Sequence, residues 1–126
     1  MKFTLLKTLA VFALAGGALG AAQAQDLKIG MIVPLSGPFA STGQQMMNGA
    51  QLYLKEHGDT VAGRKVVLIA KDDTGVNPAI SKRQAQELLI KDKVDLFAGF
   101  GLTPAAFAVA PLATEAKVPM VVLNAA

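Results

Sequence analysis

Four short, almost wholly apolar runs, separated by amphipathic stretches long enough for helices, constrain this chain more than any other feature. The runs are Leu27-Lys-Ile-Gly-Met-Ile-Val33, Lys65-Val-Val-Leu-Ile-Ala70, Val94-Asp-Leu-Phe-Ala98 and Val118-Pro-Met-Val-Val-Leu123. None alternates apolar with polar, so each reads as a strand buried on both faces. Between the first two, from about Gly43 to His57, Met46, Met47, Ala50, Tyr53 and Leu54 recur at helical spacing, and Gly58 can terminate the helix. Asn77-Pro78 places a cap before a proline at the first helical position, and Ile80, Ala85, Leu88 and Leu89 carry the stripe of a second helix towards Lys91. Thr103-Pro104 repeats that device for a third helix to about Ala116, in which Pro111 predicts a kink. Strand and helix in strict alternation predict an α/β fold, a three-layer α-β-α arrangement around a parallel sheet.

Composition removes other classes. With 126 residues and 52% hydrophobic content the chain can bury the core of one domain, and disorder is excluded. The absence of Cys excludes a disulfide-stapled scaffold. The first 24 residues read as an export signal: Met1 to Lys7 is a short basic start, Thr8 to Leu19 is uncharged and apolar, and Ala22-Gln23-Ala24 supplies a small-x-small cleavage pattern. That run falls short of the roughly 20 residues a membrane span needs. Residue 25 is Gln, not the Cys a lipid anchor requires. The expectation is a leader over residues 1–24 and a mature protein from Gln25, exported to the periplasm. The formal charge of +3 falls to +1 once Lys2 and Lys7 are removed, so nucleic acid is not indicated as a partner.

Right-handed crossovers place the carboxyl ends of all parallel strands at one edge, where open sheets of this kind bind ligands. The loops expected there are Pro34–Thr42, Asp72–Asn77, Gly99–Thr103 and Asn124–Ala126. With Thr103 as cap, the amides of Ala105 and Ala106 would have no helical partner, and the helix dipole makes that end partially positive. A carboxylate would be held there. Ser36 in Ser36-Gly37-Pro38 is a second candidate contact, although such residues also make plain turns. Asp72 and Asp73 read as solvated turn residues, His57 as part of a helix end, and Met46 and Met47 as core.

Catalytic and cofactor chemistry find no footing. One His, no Cys and no Gly-x-Ser-x-Gly leave no nucleophilic triad and no zinc site. Gly99-Phe-Gly101 lacks the third glycine of a dinucleotide fingerprint. We expect no enzyme, no metal and no cofactor. A strand at the chain's end with no following helix would leave one flank of the sheet bare, so the chain reads as the front part of a longer protein, residues 25–126 forming part of its first lobe.

Leu27 to Gly43 with its Pro-Leu-Ser-Gly-Pro stretch, Asn48-Gly-Ala50, Asp72-Asp73, Gly99-Phe-Gly-Leu-Thr103 and Pro119 to Ala126 together resemble the start of a type I periplasmic binding protein. More narrowly the chain is similar to the branched-chain amino acid (leucine/isoleucine/valine) binding family of ABC transporters, over essentially all of Leu27 to Ala126. The resemblance implies two α/β lobes closing around a solute, a monomeric receptor, and delivery to an ABC permease in the inner membrane. It implies that Thr103 receives the ligand carboxylate and that main-chain groups of Asn124 and Ala126 complete the head-group site. Leucine-binding members carry an aromatic residue where this chain has Thr42, and a threonine where it has Ala126. Relatives with a similar Thr-Pro-Ala-Ala and Asn-Ala-Ala pattern include binders of aromatic and other organic acids. The expected function is capture of a small carboxylate-bearing solute for import, a branched-chain or related amino acid first, the alternatives being a binder of aromatic or other organic acids, an extracellular sensory domain or an enzyme completed by residues beyond Ala126.

Overall fold

A computed structural model describes residues 24–75 and 77–124. The expected leader up to residue 23, and Ala126 among the candidate contacts, lie outside the described residues. The chain begins with β1 (Leu27–Val33), a single 3-10 turn at Gly37–Phe39 and α1 (Ala40–His57). A two-residue strand β2 (Thr60–Val61) turns through Ala62-Gly63 into β3 (Arg64–Asp72). α2 (Pro78–Glu87) ends in a π turn at Leu88–Asp92, β4 (Leu96–Gly99) follows, and α3 (Thr103–Ala116) leads to β5 (Met120–Val122).

These strands form one sheet in the order β2-β3-β1-β4-β5. All neighbours are parallel except the β2–β3 hairpin, which periodicity did not announce because a strand of two exposed residues carries no apolar pattern. β1 is central, and apart from Lys28 its run is apolar because both faces are covered. Ile32 packs with Leu88, Phe97 and Val109 beneath α2 and α3, while Met31 and Val33 pack with Met47 beneath α1. Gly30 faces α2, where an added Cβ would lie 2.9 Å from the Leu88 side chain.

Helix starts depart from expectation in two places. α1 opens at Ala40, not Gly43, since the Gly37-Pro38-Phe39 turn already bends the chain into helical geometry. In α3 the cap is Leu102, in extended backbone, and Thr103 is the first helical residue. Asn77 does cap α2 as expected, its side-chain oxygen accepting from the Ala79 amide at 3.0 Å. α3 runs to Ala116 with Pro111 inside it, and the proline does not break the helix.

Candidate functional site

The carboxyl ends of β1, β3, β4 and β5 meet at one edge, and specific contacts draw their loops together. Gly43 in the first turn of α1 crosses directly over the end of β1: an added Cβ would sit 1.8 Å from the Pro34 carbonyl oxygen. Pro34 also fills the space beside Gly101, where a Cβ would lie 2.8 Å from its ring. After β4 the chain turns sharply, with Gly99 at φ +112° and Phe100 at φ +66°. The Phe100 amide donates to the Ile32 carbonyl at 2.7 Å and its ring is fully buried, so packing holds a left-handed backbone that a phenylalanine rarely adopts. The amide of Leu123 donates to the Gly99 carbonyl at 2.9 Å, and the Asn124 side-chain amide reaches the Gly101 carbonyl at 3.4 Å.

Asp72 and Asp73 stand apart from their expected role as solvated turn residues. Asp72 Oδ1 accepts the amides of Leu35 at 2.8 Å, Ser36 at 3.3 Å and Thr74 at 2.8 Å. Partial burial works to raise its pKa, but hydrogen bonds from the Ser36 hydroxyl and those three amides win and hold the carboxyl below its ordinary value. Asp73 is 1% exposed; its Oδ1 accepts the Gly75 amide at 3.0 Å and its Oδ2 the Ser81 hydroxyl at 2.9 Å. Spacing gave no signal for either lock, because beside the local amides of Thr74 and Gly75 the partners Leu35, Ser36 and Ser81 lie in another loop and in α2. Ser36 thus lends both its amide and its hydroxyl to Asp72.

The candidate contacts divide between two sides of the sheet. Thr42 and Asn124 line one open groove of about 480 Å³ together with Gln45, Met46, Gly49 and Leu123. Met46, expected in the core, is half-buried and forms part of this wall, whereas Met47 is core. Thr103 lines a separate, apolar hollow of about 250 Å³ beneath Phe107, Met120 and Val122. Ala105 is buried, and its amide is not free as expected: it donates to the Leu102 carbonyl at 3.1 Å, and the Ala106 amide reaches the same oxygen at 3.4 Å. Moving the cap back to Leu102 causes this, since Ala106 then makes the first regular helical bond. His57 closes α1, its ring stacked on Tyr53 at 4.3 Å. Among the described residues no cluster of His, Cys, Asp and Glu could hold a metal ion, and no helix is long and apolar enough to cross a membrane.

The periplasmic binding protein model matches residues 26–126. The chain belongs to that family. A Leu/Ile/Val-binding protein homologue from Brucella abortus is 45% identical over the whole chain, which spans 32% of that relative's length. A solute-binding protein of an ABC transporter from Rhodopseudomonas palustris BisB5, solved with 3,4-dihydroxybenzoic acid, is 56% identical with a TM-score of 0.77, over 80% of this chain and 27% of its own. Another from R. palustris, solved with 4-hydroxybenzoate, is 50% identical with a TM-score of 0.78, over 82% and 28%. The family's fold is the one the alternation predicted, and the chain accounts for about a third of the length of these relatives.

Proposed function

We propose that the chain is part of the first lobe of a periplasmic receptor that captures a small carboxylate-bearing solute for an ABC importer. The observation carrying this reading is the gathered edge itself. Loops after four parallel strands converge on Pro34 and Gly101, in a chain more than half identical to a receptor solved with an aromatic acid. Thr103 follows Gly101 by two residues and the Asn124 side-chain amide reaches the Gly101 carbonyl, so these two are the residues proposed to meet the head group, with Thr42 in the first turn of α1 beside Asn124. Ala105 would contribute packing and not a donor. Residues 1–24 serve as the export leader in this reading, cleaved after Ala24, and a membrane permease is the receiving partner.

Two solute classes fit. The relative from Brucella supports an aliphatic amino acid, and the two structures from Rhodopseudomonas support a hydroxylated benzoic acid. Their higher identity, and Ala126 in place of a hydroxyl residue, favour the aromatic acid. A thermal-shift screen of the intact protein with leucine, isoleucine, valine, 4-hydroxybenzoate and 3,4-dihydroxybenzoate decides between them. Stabilisation by either set supports a receptor, and no shift with any carboxylate overturns it. Thr103→Val should weaken binding of the responding acid by about 1–3 kcal/mol, read by calorimetry.

A further inference from the structure

We propose that Asp72 is the positioning residue of this edge: one carboxylate oxygen fixes the loop after β1 against the loop after β3 and so sets the surface a solute meets. The inference rests on the edge being where the solute binds. Residues 35–39 are exposed, so burial does little to hold them. What ties their start down is Asp72, the last residue of β3, through the amides of Leu35 and Ser36 and the Ser36 hydroxyl. The same oxygen takes the Thr74 amide, which folds the β3 loop back on itself with Thr74 at φ +59°. Asp73 continues the tie in the other direction, holding Gly75 and Ser81 and so the start of α2. Two successive carboxylates therefore lock two loops and a helix. Bonds to an ionised acceptor are roughly twice as strong as neutral ones, which suits a group holding exposed backbone. Ser36, a candidate contact by sequence, acts in this arrangement through Asp72.

The intact protein, Asp72→Asn, Ser36→Ala and the double variant are titrated calorimetrically with 4-hydroxybenzoate and with leucine, and amide hydrogen exchange is recorded for each. Asp72→Asn should weaken binding of the probe the wild type takes by about tenfold or more. Ser36→Ala should add nothing in the Asp72→Asn background, since both changes act on one carboxylate. Additive losses would make Ser36 a direct solute contact, and unchanged affinity in Asp72→Asn would leave Asp72 a stabilising residue only; either overturns the proposal. A wild type that binds neither probe overturns the receptor reading instead, and exchange then judges the positioning. Asp72→Asn should speed exchange at Leu35, Ser36 and Thr74 by about tenfold and leave β1 and β4 unchanged, and equal rates at those three overturn it. Should Asp72→Asn not fold, Ser36→Ala carries the test: faster exchange at Leu35 and Ser36 supports the tie, and unchanged exchange refutes it.

Discussion

Two glycines six residues apart in α1 show how differently the same side chain can be required. Gly43 lies against the Pro34 carbonyl, and a methyl group there would overlap backbone that cannot swing away. Gly43→Ala should cost about 3 kcal/mol or more, seen as a lowered urea midpoint. Gly49 has nothing within 4 Å of the position its Cβ would take. Gly49→Ala should raise stability by about 0.5–1 kcal/mol in the same assay, because alanine loses less backbone entropy on entering a helix. By pattern alone Gly49, next to Ala50, would suit close helix–sheet approach just as well. The tight spot proved to be one and a half turns earlier, since only tertiary contact reveals which glycine faces backbone. The same holds for Thr103, whose hydroxyl marked the start of α3 correctly to within one residue but whose role as cap passed to Leu102.

Ionised side chains also join the strands to one another and to α2. Arg64 at the start of β3 reaches Asp95 at 2.9 Å and donates to the Gln25 and Asp26 carbonyls, each at 2.7 Å, which seats the chain just ahead of β1. Lys71 of β3 meets Glu87 of α2 at 3.0 Å. Hydrogen bonding to Arg64 holds Asp95 below its ordinary 3.8, and hydrogen bonding to Lys71 and Lys91 holds Glu87 below its ordinary 4.5. A carboxyl whose pKa is lower in the folded chain contributes stability that is complete above the unfolded value and lost as pH falls through the folded one. With Asp72 shifted the same way, Tm should stay level from neutral pH down to about 5 and fall below about 4.5. Asp95→Asn should flatten part of that acid limb, as followed by circular dichroism melts across pH. A melting curve that declines as steeply above pH 6 would refute this account.

For the molecule as a whole, the uneven cover of the sheet matters most. α2 and α3 pack together over one face, and among the described residues α1 alone covers the other. β5 is an edge strand, and Val121, Val122 and Leu123 are 49%, 42% and 50% exposed, with Phe107 beside them at 74%. An apolar edge with unpaired backbone groups is a template for association. The chain of residues 25–126 expressed by itself should therefore self-associate with rising concentration, and Val121→Lys should shift it towards monomer in sedimentation velocity. A wild-type chain that stays monomeric at high concentration would show the edge to be protected.

The alternation of apolar runs and amphipathic stretches was enough to give the parallel α/β sheet, its four main strands along the chain and the edge where the loops gather, but not the order in which those strands pair. These follow from continuous apolar runs and a helical period of 3.6 between them, which local sequence carries in full. What local sequence could not carry is which groups meet across that edge. Asp72 and Asp73 look like any polar turn until the fold brings Leu35, Ser36 and Ser81 within hydrogen-bonding distance of them. Thr42 and Asn124 became neighbours across one groove, and Thr103 was sent to another, because pairing of distant segments, and not spacing along the chain, decides the company a side chain keeps.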